Sequence, residues 1–77
     1  TLDIHKDMTD YINNKVLSLR KQKGVTQEEL AENLGVSRQT VFAIEKGNYI
    51  PSLLLGLKIA RFFKKSVETI FRYTNEK

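Results

Sequence analysis

A chain of 77 residues, 40% of them hydrophobic, makes one domain, small enough that its core depends on well-packed helices. Thirteen Lys and Arg stand against nine Asp and Glu, a net charge of +4, which suits a polyanionic partner without demanding one. With no cysteine in the chain, a disulfide framework and a thiolate metal site are excluded; no apolar run approaches the ~20 residues of a membrane span, no signal peptide is visible in residues 1–10, and the expected compartment is the cytoplasm.

Residues 1–8 are polar and aperiodic and are expected to form a flexible N-terminal arm. Thr9 or Asp10 is expected to cap a first helix with Ile12, Val16 and Leu19 on one face, ending at Gly24. The stretch VTQEELAENLGVSRQTVFAIE, residues 25–45, then holds two helix starts close together. Thr26 and Glu29 have the spacing of a capping box, with Val25 placed to staple onto Leu30, and predict a second helix over residues 27–34. Its buried side should carry Leu30, Ala31 and Leu34, Ala31 being small enough for a close helix crossing. Gly35 supplies the positive φ of a sharp reversal. Ser37 caps a third helix over residues 38–46 that buries Val41 and Ile44 and ends at Gly47. After a loop through Asn48, Tyr49, Ile50 and Pro51, Ser52 caps a fourth helix over residues 53–63, so rich in apolar residues that it must be central. Gly56 inside it weakens the helix by about 1 kcal/mol relative to Ala and is expected to admit close packing of another helix. Ser66 caps a fifth helix over residues 67–73, and residues 74–77 form a polar tail. Residues 9–73 therefore read as one compact all-α domain of five helices, the second and third forming a helix-turn-helix.

If Val41 and Ile44 point inward, Arg38, Gln39, Phe42 and Ala43 point out, and folding needs neither the Arg nor the Gln at the leading edge of the helix. Their chemistry suits base recognition in the major groove of double-stranded DNA. Arg donates two hydrogen bonds to guanine O6 and N7, and Gln pairs in the same bidentate way with adenine. Thr40 or Phe42 is placed to meet a thymine methyl, and Ala43 is small enough to let the helix approach closely. Elsewhere in a protein, an Arg-Gln pair in a first turn would be ordinary solvated surface. On the exposed start of the second helix of this motif, DNA contact is the better reading. Gln27 and Ser37 sit at helix starts, where unpaired N–H groups favour anions, and Thr40, Lys46, Asn48 and Tyr49 are further candidates for phosphate contact. Such contacts would position the module without reading sequence. Ser37 also has a plain role as a cap, and Lys46 as a cation at a helix C-terminus.

The segments RKQKG from Arg20, VTQEELA, LGVSRQTV, IEKG and PSL together resemble the Xre/Cro family of phage-repressor-like DNA-binding domains, over about residues 14–71. The resemblance implies a five-helix fold acting as a homodimer on a two-fold symmetric operator to regulate transcription, in a prokaryotic or phage nucleoid setting. It puts the recognition positions on Arg38, Gln39, Phe42 and Ala43, and the phosphate-binding glutamine on Gln27. It also implies an Arg20–Glu45 ion pair fixing the third helix against the first, which we class as structural. Three residues depart from the pattern: Phe42 is large and apolar on the outward face, Gly56 interrupts the fourth helix, and Lys64 stands at a helix end that commonly carries Gly.

One small core can hardly bury every apolar residue of the last two helices. A symmetric dimer through Leu54, Phe62, Val67, Ile70, Phe71 and Tyr73 is therefore expected. Enzyme chemistry finds little support. His5 is the only histidine and has no thiol to pair with, Glu28, Glu29 and Glu32 are explained by a helix start, and no glycine-rich phosphate loop exists. No cofactor is expected, and no effector is legible. The rival to a DNA-binding regulator is a protein-interaction module, such as an antitoxin or adaptor, on the same fold.

Overall fold

The computed structural model describes residues 11–74. In chain order these form β1 (Tyr11–Asn14), α1 (Val16–Lys23), α2 (Gln27–Leu34), α3 (Arg38–Lys46), α4 (Leu53–Phe63), α5 (Val67–Ile70) and β2 (Phe71–Thr74). The helical architecture expected from the sequence is present, and α2, α3 and α4 have the expected bounds. The first and fifth helices are shorter than expected, because a two-stranded antiparallel ribbon takes up the outer part of each. Its register pairs Tyr11 with Thr74, Ile12 with Tyr73, Asn13 with Arg72 and Asn14 with Phe71.

This corrects two boundaries. Ile12, expected on a helix face with Val16 and Leu19, lies instead on β1. Asn13 and Asn14 are poor helix formers, and Asn14 starts α1 from outside: its Oδ1 accepts from the Val16 N–H at 3.0 Å, while its Nδ2 donates to the Ile44 carbonyl at 3.0 Å. The fifth helix stops at Ile70, and Phe71–Thr74, rich in aromatic and β-branched residues, finds pairing partners across the fold. The Lys15 N–H, donating to the Ile70 carbonyl at 2.9 Å, ties the two joins together. The cap expected at Thr9 or Asp10, the arm over residues 1–8 and residues 75–77 of the tail lie outside the described residues.

The core gathers one face from each helix: Val16 and Leu19 of α1, Leu30, Ala31 and Leu34 of α2, Val41 and Ile44 of α3, Leu55, Ile59, Ala60 and Phe63 of α4, and Ile70 of α5. Polar capping fixes where those faces begin. Thr26 accepts from the Glu29 N–H while Glu29 reaches back to the Thr26 N–H, completing the capping box. Ser37, Ser52 and Ser66 each accept from the N–H three residues on. At the other ends, Gly35 turns the chain with φ 74°. The Val36 N–H then returns to the Ala31 carbonyl at 3.0 Å, closing the turn between α2 and α3. Lys64 makes the same reversal after α4 with φ 58°, the only non-glycine residue at positive φ among the described residues.

Gly56 needs a different explanation from the one its sequence context suggests. A Cβ built there meets nothing within 4 Å, so no packed helix requires glycine. Gly56 forms instead part of the wall of a shallow groove of about 130 Å³, shared with Ile12, Ile50, Leu53, Val67 and Phe71.

Candidate nucleic-acid interface

The helix-turn-helix is held from α1 and from α4, and each tie can be traced to particular residues. From α1, Arg20 reaches the end of α3: its Nε donates to Glu45 Oε2 at 2.5 Å and its Nη2 to Glu45 Oε1 at 3.2 Å. The Arg20 and Glu45 side chains are only 12% and 3% exposed. The third guanidinium nitrogen, Nη1, donates to the Val25 carbonyl at 3.0 Å, just before α2. Gln27, the first residue of α2, completes the cluster by donating from Nε2 to Glu45 Oε1 at 2.9 Å. One carboxylate thus accepts from both α1 and α2 and locks α3 against them. From α4, Lys58 Nζ donates to the Leu34 carbonyl at 3.3 Å, a cation placed on the C-terminal end of α2 where the helix dipole favours it.

Held in this way, α3 turns its polar leading edge outward. Val41 and Ile44 are buried, and Arg38 and Gln39 are exposed. Neither the Arg38 nor the Gln39 side chain has a hydrogen bond or ion pair to another group among the described residues. Phe42 is 50% exposed, and Ala43 is half-buried beside it. Arg38, Gln39 and Phe42 line an open recess of about 200 Å³. Lys46 Nζ stands 5.8 Å from the centre of the Phe42 ring, within reach of a cation–π interaction.

The residues expected to meet phosphate have varied surroundings. Ser37 is exposed, its hydroxyl hydrogen-bonded to that of half-buried Thr40 at 3.0 Å. One amide hydrogen of Gln27 is engaged by Glu45, so its side chain is held in place rather than loose. Lys46 and Asn48 are exposed, but the Asn48 backbone N–H is committed to the Ala43 carbonyl at 2.9 Å, leaving only its side-chain amide to donate. Tyr49 lines a cleft beside the turn with Gly35, Val36, Leu54 and Lys58.

The residues expected at a dimer interface differ in how accessible they are. Ile70 is a correction: it is 1% exposed, packed in the chain's own core, and no partner can reach it. Phe62 is half-buried, set edge-on to Phe63 with ring centres 5.0 Å apart and beneath Lys23 Nζ. Leu54 is exposed but faces the cleft by Tyr49. Val67 and Phe71 line the groove at Gly56, and Tyr73 lies exposed on β2. The sequence reading missed Ile50 and Leu53, which line that groove and are 60% and 76% exposed, and Leu57, which is 51% exposed. Leu53 and Leu57 are one helical turn apart, the spacing that could have singled them out. Lys58 was also missed; a lysine set among the apolar residues of α4 was its only signal.

Among the described residues no helix is long and apolar enough to cross a membrane. A helix-turn-helix family model matches residues 16–70, all five helices. The chain is 57% identical over 58 residues to YgzD of Bacillus subtilis (strain 168), named as an uncharacterized HTH-type transcriptional regulator; the match covers 75% of this chain and 88% of that protein. It is 54% identical over 63 residues to MJ0272 of Methanocaldococcus jannaschii, which carries the same description, with 82% and 96% covered. A more distant likeness, 38% over 50 residues, is to the cryptic phage CTXphi transcriptional repressor RstR of Vibrio cholerae, covering 65% of this chain and 45% of the repressor.

Proposed function

The chain belongs to the Xre/Cro-like helix-turn-helix family of transcriptional regulators, and from that premise we propose that it is a sequence-specific repressor binding a two-fold symmetric operator as a homodimer. The observation that carries this reading is the leading edge of α3, where Arg38 and Gln39 stand exposed and unengaged on a helix braced from behind. In the major groove these two, with Phe42 and Ala43, are the base-contacting set. Gln27, Ser37, Thr40, Lys46, Asn48 and Tyr49 are the phosphate-contacting set, which supplies salt-dependent affinity. Relatives of both signs match this chain, the repressor RstR at 38% over 50 residues and the activator BcrR of Enterococcus faecalis at 36% over 58 residues; repression is the mode proposed here. The protein would act in the cytoplasm, at the nucleoid.

The dimer is assigned to the apolar face around Gly56, where Ile50 and Leu53 line the groove with Val67 and Phe71, and Leu57 stands exposed one helical turn beyond Leu53. Contiguous apolar surface of this kind marks association sites. Two recognition helices set about 34–36 Å apart would then enter successive major grooves.

Selection of bound sequences from random duplex DNA tests the whole reading. The expected product is a two-fold symmetric site whose affinity falls with salt. Arg38→Ala and Gln39→Ala together should weaken it by about 2–6 kcal/mol, two base-reading pairs at ~1–3 kcal/mol each. No duplex binding even at low salt would refute the proposal and favour a protein-interaction module such as an antitoxin or adaptor.

A further inference from the structure

We infer that the recess between Arg38, Gln39 and Phe42 seats the 5-methyl group of a thymine, and that Phe42 makes operator binding depend on that methyl. This rests on the DNA-binding reading above and names one determinant of its specificity. The three residues lie at i, i+1 and i+4 at the start of α3, so Arg38 and Phe42 stand one above the other with Gln39 beside them. Their recess, about 200 Å³, opens outward. Half of Phe42 is exposed, although Val41 next to it is wholly buried. The ring is therefore apolar surface that the fold places outside its core.

A partner for that surface must also satisfy its rim. Arg38 and Gln39 bring hydrogen-bonding groups, Lys46 lies against the ring without lining the recess, and no carboxylate lines it. The complementary surface is anionic, rich in acceptors and apolar at one point. A DNA major groove has that composition, and the apolar group its bases display there is the thymine methyl. An apolar protein segment would fit the ring but leave Arg38 and Gln39 unpaired.

The operator obtained by selection is resynthesised with each thymine in turn replaced by deoxyuridine, which deletes the methyl and keeps the base pair. For the wild-type protein, one position in each half-site should weaken binding roughly fourfold, the worth of one buried methyl group. In Phe42→Ala, shown to be folded by circular dichroism, the same replacement should change affinity by less than roughly 1.5-fold, since the wall that buries the methyl is gone. Phe42→Leu, which keeps an apolar wall, should retain part of the sensitivity and serves if the alanine variant binds too weakly to measure. Wild-type binding indifferent to uracil at every thymine would overturn the inference and leave DNA binding standing. So would a sensitivity undiminished in both variants. Failure of the wild type to bind any duplex would instead overturn the DNA-binding reading and this inference with it.

Discussion

Replacing Arg20 with Met removes the only cation that faces Glu45 among the described residues. The Glu45 carboxylate then stays almost wholly buried with the Gln27 amide as its remaining donor, and the Val25 carbonyl loses its guanidinium partner. Breaking a buried pair on one side costs about 3–5 kcal/mol, because the charge left behind is neither solvated nor compensated. At roughly 0.05–0.15 kcal/mol per residue, a domain of this size has about 4–12 kcal/mol in total, so the loss is a large share. Taking the lower figure, and ~4–8 °C per kcal/mol for a domain of this length, the melting temperature should fall by about 12–24 °C. Thermal unfolding followed by circular dichroism, at one fixed protein concentration, measures this. The double variant Arg20→Met/Glu45→Leu supplies the sharper comparison. Neutral side chains of similar bulk avoid the desolvation of both charges, so it should recover most of the lost stability. A fall of less than about 4 °C in the single variant, or a double variant no better than the single, would refute the reasoning.

Two other substitutions test local features. Lys64→Gly removes the strain of a side chain at φ 58° and should raise stability by about 1 kcal/mol in denaturant titration; no gain would mean that the Lys64 side chain makes up the difference. Gly56→Ala meets no neighbour within 4 Å and should stabilise the dilute protein by about 1 kcal/mol through helix propensity. Because the new methyl group protrudes into the groove, the same variant should associate more weakly in sedimentation. Wild-type protein sedimenting as an 8.9 kDa monomer at high micromolar concentration would remove the proposed dimer.

What could be read along the chain was whatever is decided within a few residues. Thr26 with Glu29, Ser37, Ser52 and Ser66 announce helix starts because each cap bonds three residues onward. Gly35 announces a turn because its φ is costly for other residues. The ribbon was invisible for the opposite reason. Ile12, Val16 and Leu19 mimic a helical period, and nothing near Ile12 reveals that Tyr73 lies across from it. The same holds for Asn14, whose bond to Ile44 joins β1 to α3 across thirty positions of sequence. At the site, the outward position of Arg38 and Gln39 followed from the inward period of Val41 and Ile44. The sharing of Glu45 by Arg20 and Gln27 did not, since it depends on how α1 and α2 converge on α3. The expected role of Ile70 at an interface failed because the number of apolar residues says nothing of which ones the core claims first.

The rung that joins Tyr11 to Thr74 also governs how this fold can be tethered. Paired antiparallel residues lie ~4.5–5.5 Å apart, so labels or fused proteins attached at either side of the ribbon leave from one edge of the molecule. A donor and acceptor dye placed there would begin in near contact, and their separation would read the unzipping of the ribbon directly, independently of the helices.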